Sequence, residues 1–266
     1  MRGPNTLIQA EDNWQTDMGA WFSGERVVFR GKDLFTKLHN HSWFELLILG
    51  ITGREFSHNE IQLFEKIWSL TISYPEPRIW NNRIASLTAT AKSTGVLATS
   101  AATSASEATI YGNQINIVAM DFIKRAKEII DNNGSLTDFV LKELKENRVI
   151  PGYGRPIVQK DERIQPIVDK AEELGLAHGP HHKLAIEVEK ILEGGRYRMV
   201  MNASGIGAAL MADRGFTPRE YYHYLILGFS AGIIPCFIDS SKKKEGTFFP
   251  LSCERLNYKG NEKRHW

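Results

Sequence analysis

The stretch from Ile115 to Asn132 constrains this chain more than any other. Val118, Phe122 and Ile129 recur at helical spacing with lysines on the opposite side, and Gly134 follows as a stop. The same pattern is repeated downstream: Leu136 to Glu146, Arg163 to Leu174 ended by Gly175, and Lys183 to Leu192 ended by Gly194-Gly195. Asn202 to Met211 and Pro218 to Leu227 complete the series. Upstream, Ser42 to Leu49 closes at Gly50, and Ser57-His-Asn-Glu60 reads as a capping box for Ile61 to Leu70. Tyr74-Pro-Glu-Pro77 is a rigid break. Ala85 to Ala108, dense in Ala, Ser and Thr, predicts tightly packed helices. Only Glu25 to Arg30 alternates like a strand. The expectation is an all-α fold without internal repeats.

A chain of 266 residues can bury a substantial core as one large domain or two unequal ones. A formal charge of +2 gives no clustered basic face, so no nucleic acid partner and no membrane partner is expected. Two cysteines, Cys236 and Cys253, argue against a disulfide scaffold. Residues Met1 to Trp14 lack the apolar core of a signal peptide, and Tyr224 to Ile238, broken by Gly228, Gly232 and Pro235, reads as too short for a bilayer. A cytoplasmic location is the expectation.

The densest motif is Pro151-Gly-Tyr-Gly-Arg-Pro-Ile157, followed by Asp161-Glu-Arg163. Glycines flanking an aromatic after a proline describe a turn that a flat ligand can approach closely, or equally a tight connection between helices. Arg163 supplies a cation able to hold a carboxylate. His178, His181 and His182 cluster without an acidic or thiol partner at coordinating spacing, so they read as a polar turn and no metal is expected. Gly205-Ile-Gly207 starts like a dinucleotide fingerprint, but Leu210 replaces the third glycine and no strand precedes it.

These motifs, taken in order, resemble the citrate synthase-like family: short citrate synthases, citryl-CoA lyases and the lyase part of ATP-citrate lyase. The resemblance runs through Trp14-x-Thr16, Val28 to Leu34, Phe44 to Arg54, Arg83-Ile-Ala-Ser86 with Ser93-Thr94, and Glu187-Val-Glu-Lys190. It continues through Asn202 to Gly215, Leu227 to Asp239 and Cys253 to Gly260. It implies a mainly helical homodimer with a large domain (residues 1–110 and 202–266) and a small domain (111–201) that closes over ligands.

By the same resemblance, Pro151, Gly152, Tyr153 and Gly154 would grip coenzyme A through backbone groups. Family enzymes make or break a carbon–carbon bond beside a thioester, using an aspartate as base and two histidines as hydrogen-bond donors. Those positions fall here at Ser204 for the aspartate and at Tyr111 and Arg155 for the histidines. Tyr111 and Arg155 can still donate to an oxyanion or a carboxylate, whereas Ser204 is no base near neutral pH without an activator. On the substrate side Phe229 and Cys236 replace an arginine and a histidine. Arg163 and Arg255 are retained, the latter reaching a partner subunit's site in the family's dimer. The ligands implied are an acyl thioester and a small carboxylate that is less acidic than citrate or carries an apolar arm. Two readings follow: a rebuilt acyltransferase or lyase, its chemistry decarboxylative, or a silent regulatory subunit of a complete citrate synthase-like partner.

Overall fold

The computed structural model describes residues 3–13, 15–109, 112–155, 160–196, 198–247, 252, 255 and 257–261. Among them the chain is mainly helical, as expected. The elements in order are α1 (Pro4–Ala10), β1 (Gly19–Phe22), β2 (Arg26–Phe29), β3 (Lys32–Asp33), α2 (Trp43–Thr52), α3 (His58–Thr71), α4 (Trp80–Thr90) and α5 (Gly95–Ala105). They continue with α6 (Gln114–Asp131), α7 (Leu136–Asn147), α8 (Ile164–Glu173), α9 (Pro180–Glu193), α10 (Ala203–Ala212) and α11 (Pro218–Ile226). A 3-10 turn (Leu227–Phe229) leads into α12 (Ser230–Ser241).

Local chemistry sets most of these limits. Ser42 and Glu45 form a reciprocal capping box on α2, and Ser57 and Glu60 do the same for α3. Helix α2 does not stop at Gly50, as expected, but runs on to Gly53, whose left-handed backbone (φ 70°) closes it. Helix α6 ends where Asn133 turns left-handed (φ 59°) and the Gly134 N–H reaches back to the Ile129 carbonyl. Its buried face is Asn116, Ala119, Met120, Phe122, Ile123 and Ala126; Val118, expected inside, is exposed.

Two expectations need correction. The strand at Glu25 to Arg30 exists as β2, but it is the middle of a three-stranded antiparallel sheet, with Ala20 opposite Val28 and Val28 opposite Asp33. Neither flanking strand alternates: β1 reads Gly19-Ala-Trp-Phe22, and β3 is only two residues long. The segment read as too short for a bilayer belongs to one continuous helical stretch, Pro218–Ser241, which is long and apolar enough by length and composition to cross a membrane, with 39% of its apolar window buried. Gly228 and Pro235 do not break it: Gly228 lies in the 3-10 turn, and Pro235 lies inside α12. Helix α12 packs on α4 and α5.

The chain divides into two compact units, residues 1–70 with 116–224, and residues 71–115 with 225–266. The limits 111 and 201 expected above concern which part closes over a ligand, a different property. In the first unit α10 is buried almost all round, every residue but Ser204 being inaccessible. Its small side chains permit this: beside Gly207 an added Cβ would overlap the buried Tyr221 hydroxyl. Phe56 and Phe216 stack nearby, and Phe64 meets both edge-on, at 5.0–5.6 Å between ring centres. In the second unit Ala85, Ala102 and Ile233 form a core with Ile84, Phe229 and Phe237 packed against it.

Candidate functional site

The glycine loop is folded onto the start of α10. Gly152 and Gly154 both have left-handed backbones, φ 88° and 81°. Gly152 faces Gly205: a Cβ on Gly152 would stand 2.8 Å from the Gly205 Cα, and one on Gly205 would overlap the Gly152 carbonyl oxygen. Two backbones can approach this closely only where neither carries a side chain. A Cβ on Gly154 would clash with nothing, its nearest neighbour being the Met199 side chain at van der Waals distance, 3.5 Å. Of the two glycines, the first therefore serves close packing, and the second is favoured by its left-handed backbone.

Hydrogen bonds fix this register. Gly154 N–H donates to Val200 O (2.6 Å) and Asn202 N–H to Gly152 O (2.9 Å), while the Asn202 side chain donates to Gly154 O (3.0 Å). The Asn202 Oδ1 also caps α10, accepting from Ser204 and Gly205 N–H. Tyr153 is buried, its hydroxyl donating to Ala185 O (2.8 Å) on α9 and its ring lying edge-on to Phe122. Burial and the nearby Glu189 push its phenol well above the ordinary range. Tyr153 is thus an anchor rather than a surface for a flat ligand.

Asp161 joins the loop to α10. Its fully buried carboxylate takes Arg163 in a two-pronged contact (Nε–Oδ1 2.8 Å, Nη2–Oδ2 2.7 Å) and accepts Ala203 N–H at the first position of α10 (2.8 Å). Burial alone would raise its pKa. The Arg163 guanidinium and the Ala203 N–H outweigh burial and hold it down at about 2. Arg155, one-quarter exposed, donates to Lys160 O (3.1 Å) and Glu162 Oε2 (2.7 Å), with Asp161 Oδ1 at 3.7 Å.

Ser204, the one α10 residue that is not inaccessible, donates its hydroxyl proton to Asn116 Oδ1 on α6 (2.8 Å). An amide oxygen cannot take up that proton, so the contact orients the serine without activating it.

The structure therefore brings Pro151–Gly154, Arg155, Arg163 and Ser204 into one hydrogen-bonded neighbourhood of the first unit. Tyr111 lies outside the described residues. Phe229, Cys236 and Arg255 belong to the second unit. Phe229 packs on the Ala85 core, and Arg255 is exposed. Cys236 is 5% exposed, and burial first, then Asp239 and Glu76, raise its thiol. Asn116 was not singled out by any motif, and Asp161 and Glu189, though inside quoted motifs, were given no role there. They act across gaps of 12 to 88 residues and leave no periodic trace. Among the described residues no three His, Cys, Asp or Glu side chains gather as a metal site would require.

No protein-family model and no curated protein matches the chain. Solved structures do. Citryl-CoA lyase from Hydrogenobacter thermophilus superposes with a TM-score of 0.83 over 96% of this chain and 97% of its own, at 23% identity. ATP citrate lyase from Methanothrix soehngenii, in complex with citrate and coenzyme A, gives 0.78 at 18% identity. There the chain is covered to 99% but spans only 45% of the larger protein. A citrate synthase from Thermoplasma acidophilum gives 0.56 at 15% identity, over 85% of this chain and 59% of that one. The chain has the citrate synthase-like fold.

Proposed function

We propose that this chain binds a coenzyme A thioester at the loop 151–154 and makes or breaks a carbon–carbon bond beside it, through a site whose proton-handling groups have diverged. The observation that carries the reading is the likeness to a citryl-CoA lyase over almost the whole of both chains. One further feature supports it: the ATP citrate lyase structure contains citrate and coenzyme A.

The site's own residues restrict the chemistry. Ser204 keeps its proton, donating a hydrogen bond to an amide oxygen that is no base, which disfavours abstraction of an α-proton. A decarboxylative step avoids that need. Breaking the bond to the departing carboxylate as CO2 leaves its electron pair on the α-carbon of the thioester, as an enolate. A fixed cation or hydroxyl donor then stabilises the oxygen. Arg155 and Tyr111 are the proposed donors, with Arg163 and Arg255 on substrate carboxylates and Phe229 and Cys236 lining an apolar arm. Arg155 and Arg163 already hold Glu162 and Asp161, so an incoming carboxylate must share or displace those partners.

That last feature also favours a second reading, a catalytically silent subunit working beside a complete citrate synthase-like partner. A homodimer is part of either proposal. Its support is an apolar face on the second unit, where Val96, Leu97, Ile234 and Ile238 are exposed beside a groove of about 550 Å³.

Calorimetric titration with coenzyme A and a series of acyl-CoAs tests the reading. Saturable binding, weakened by Arg155→Ala, is expected. Absence of binding by the folded protein overturns thioester recognition. Binding without turnover, together with co-purification of a complete relative, selects the silent reading.

A further inference from the structure

The first turn of α9 is tied down by side chains that the proposed site does not use. The fully buried Asp213 carboxylate accepts N–H bonds from His181 (2.8 Å) and His182 (3.1 Å) and meets His181 Nδ1 at 2.9 Å. It caps the helix from beyond the end of α10, because the residue at the cap position is Gly179, which has no side chain to offer.

Beside it His182, 1% exposed, accepts the His178 N–H at Nδ1 (3.1 Å). His178 is left-handed (φ 64°), which turns its N–H inward, and the two imidazoles stack at 5.8 Å. An imidazole accepting at Nδ1 is neutral, with its proton on Nε2. The charged or titratable groups that act on it are His178 in the same turn, Glu172 from α8, and Asp213 with its partner His181. Burial, then His178, lower its pKa. Asp213 and Glu172 pull the other way and are outweighed, Asp213 being already committed to three donors.

Helix α9 also touches the glycine loop and the strip beside it. His182, Ala185 and Glu189 follow one another at spacings of three and four, and so share a face. Ala185 O accepts the Tyr153 hydroxyl, and Glu189 Oε1 accepts Met201 N–H at 2.7 Å. We propose that His182 is an acid-sensitive latch: neutral, it holds the first turn of α9, and its protonation releases that turn and loosens the loop 151–154 through Tyr153 and Met201. Because the folded-state pKa lies below the unfolded one, the stabilisation is complete above about pH 6.5 and is lost as the pH falls through the folded value.

Amide hydrogen exchange at Gly154 and Asn202, referred to unstructured peptide at each pH, tests this in the full chain. Between about pH 7.5 and about pH 5, protection should fall by about tenfold or more in the native protein. It should stay nearly constant in His182→Asn, whose side-chain oxygen takes the Nδ1 place and does not titrate. Equal losses in both overturn the latch. Should the variant not fold, the His182 ring nitrogens of the native protein decide. An unprotonated Nδ1 with a midpoint below the ordinary histidine value supports the latch, and a protonated Nδ1 at neutral pH or an ordinary midpoint sinks it. Neither measurement depends on thioester binding.

Discussion

The junction of the glycine loop with α10 and the cluster of α4, α5 and α12 are both built from small residues, yet they are held by opposite means. At the junction, Gly152 and Gly205 touch backbone to backbone, and Asn202, Asp161 and Asn116 surround them with hydrogen bonds. In the helix cluster, Ala85, Ala102 and Ile233 pack by shape against Ile84, Phe229 and Phe237. Small side chains serve the first region by admitting polar backbone, and the second by letting helix surfaces meet. Close packing should therefore matter in both regions, and charge only in the first.

Gly205→Ala should break the first region most severely. Its Cβ would overlap a carbonyl oxygen that is itself fixed by Asn202, so the backbone must move; we expect a loss of at least about 3 kcal/mol in urea unfolding. Ala102→Leu probes the second region. Overfilling a fully buried site there should cost about 2 kcal/mol, by the same amount at every pH, since no titratable group is involved. Asp161→Asn sharpens the contrast with a smaller and pH-dependent effect. Losing a charge-assisted contact should cost roughly 1.5 kcal/mol at neutral pH. The Asp161 pKa is depressed, so its contribution is present above the ordinary carboxylate value of 3.8 and is lost as the pH falls to about 2. Denaturation curves of native and variant protein should converge over that window. A gap independent of pH would show that shape, not charge, holds the junction.

What the sequence disclosed follows the same division. Helices whose ends are written locally were legible: the Ser57–Glu60 box, the stop around Gly134, and Asn202 at the head of α10. Helix α12 was not, because Gly232 and Pro235 are ordinary breakers, and only packing on α4 and α5 overrides them. At the site, Pro151–Gly154 and Arg163 stood out by motif. Their roles were not legible, because a guanidinium reads alike whether it awaits a ligand or already grips Asp161. The pairing of Ser204 with Asn116 spans 88 residues and has no counterpart in any spacing rule.

The contact between Gly152 and Gly205 also sets the unit of exchange for engineering. A graft of residues 150–163 into another protein of this fold would arrive without its seat unless residues 199–207 travelled too, because each strip is the mould for the other. Chimeras cut between them should misassemble, and those that move both should keep the turn intact.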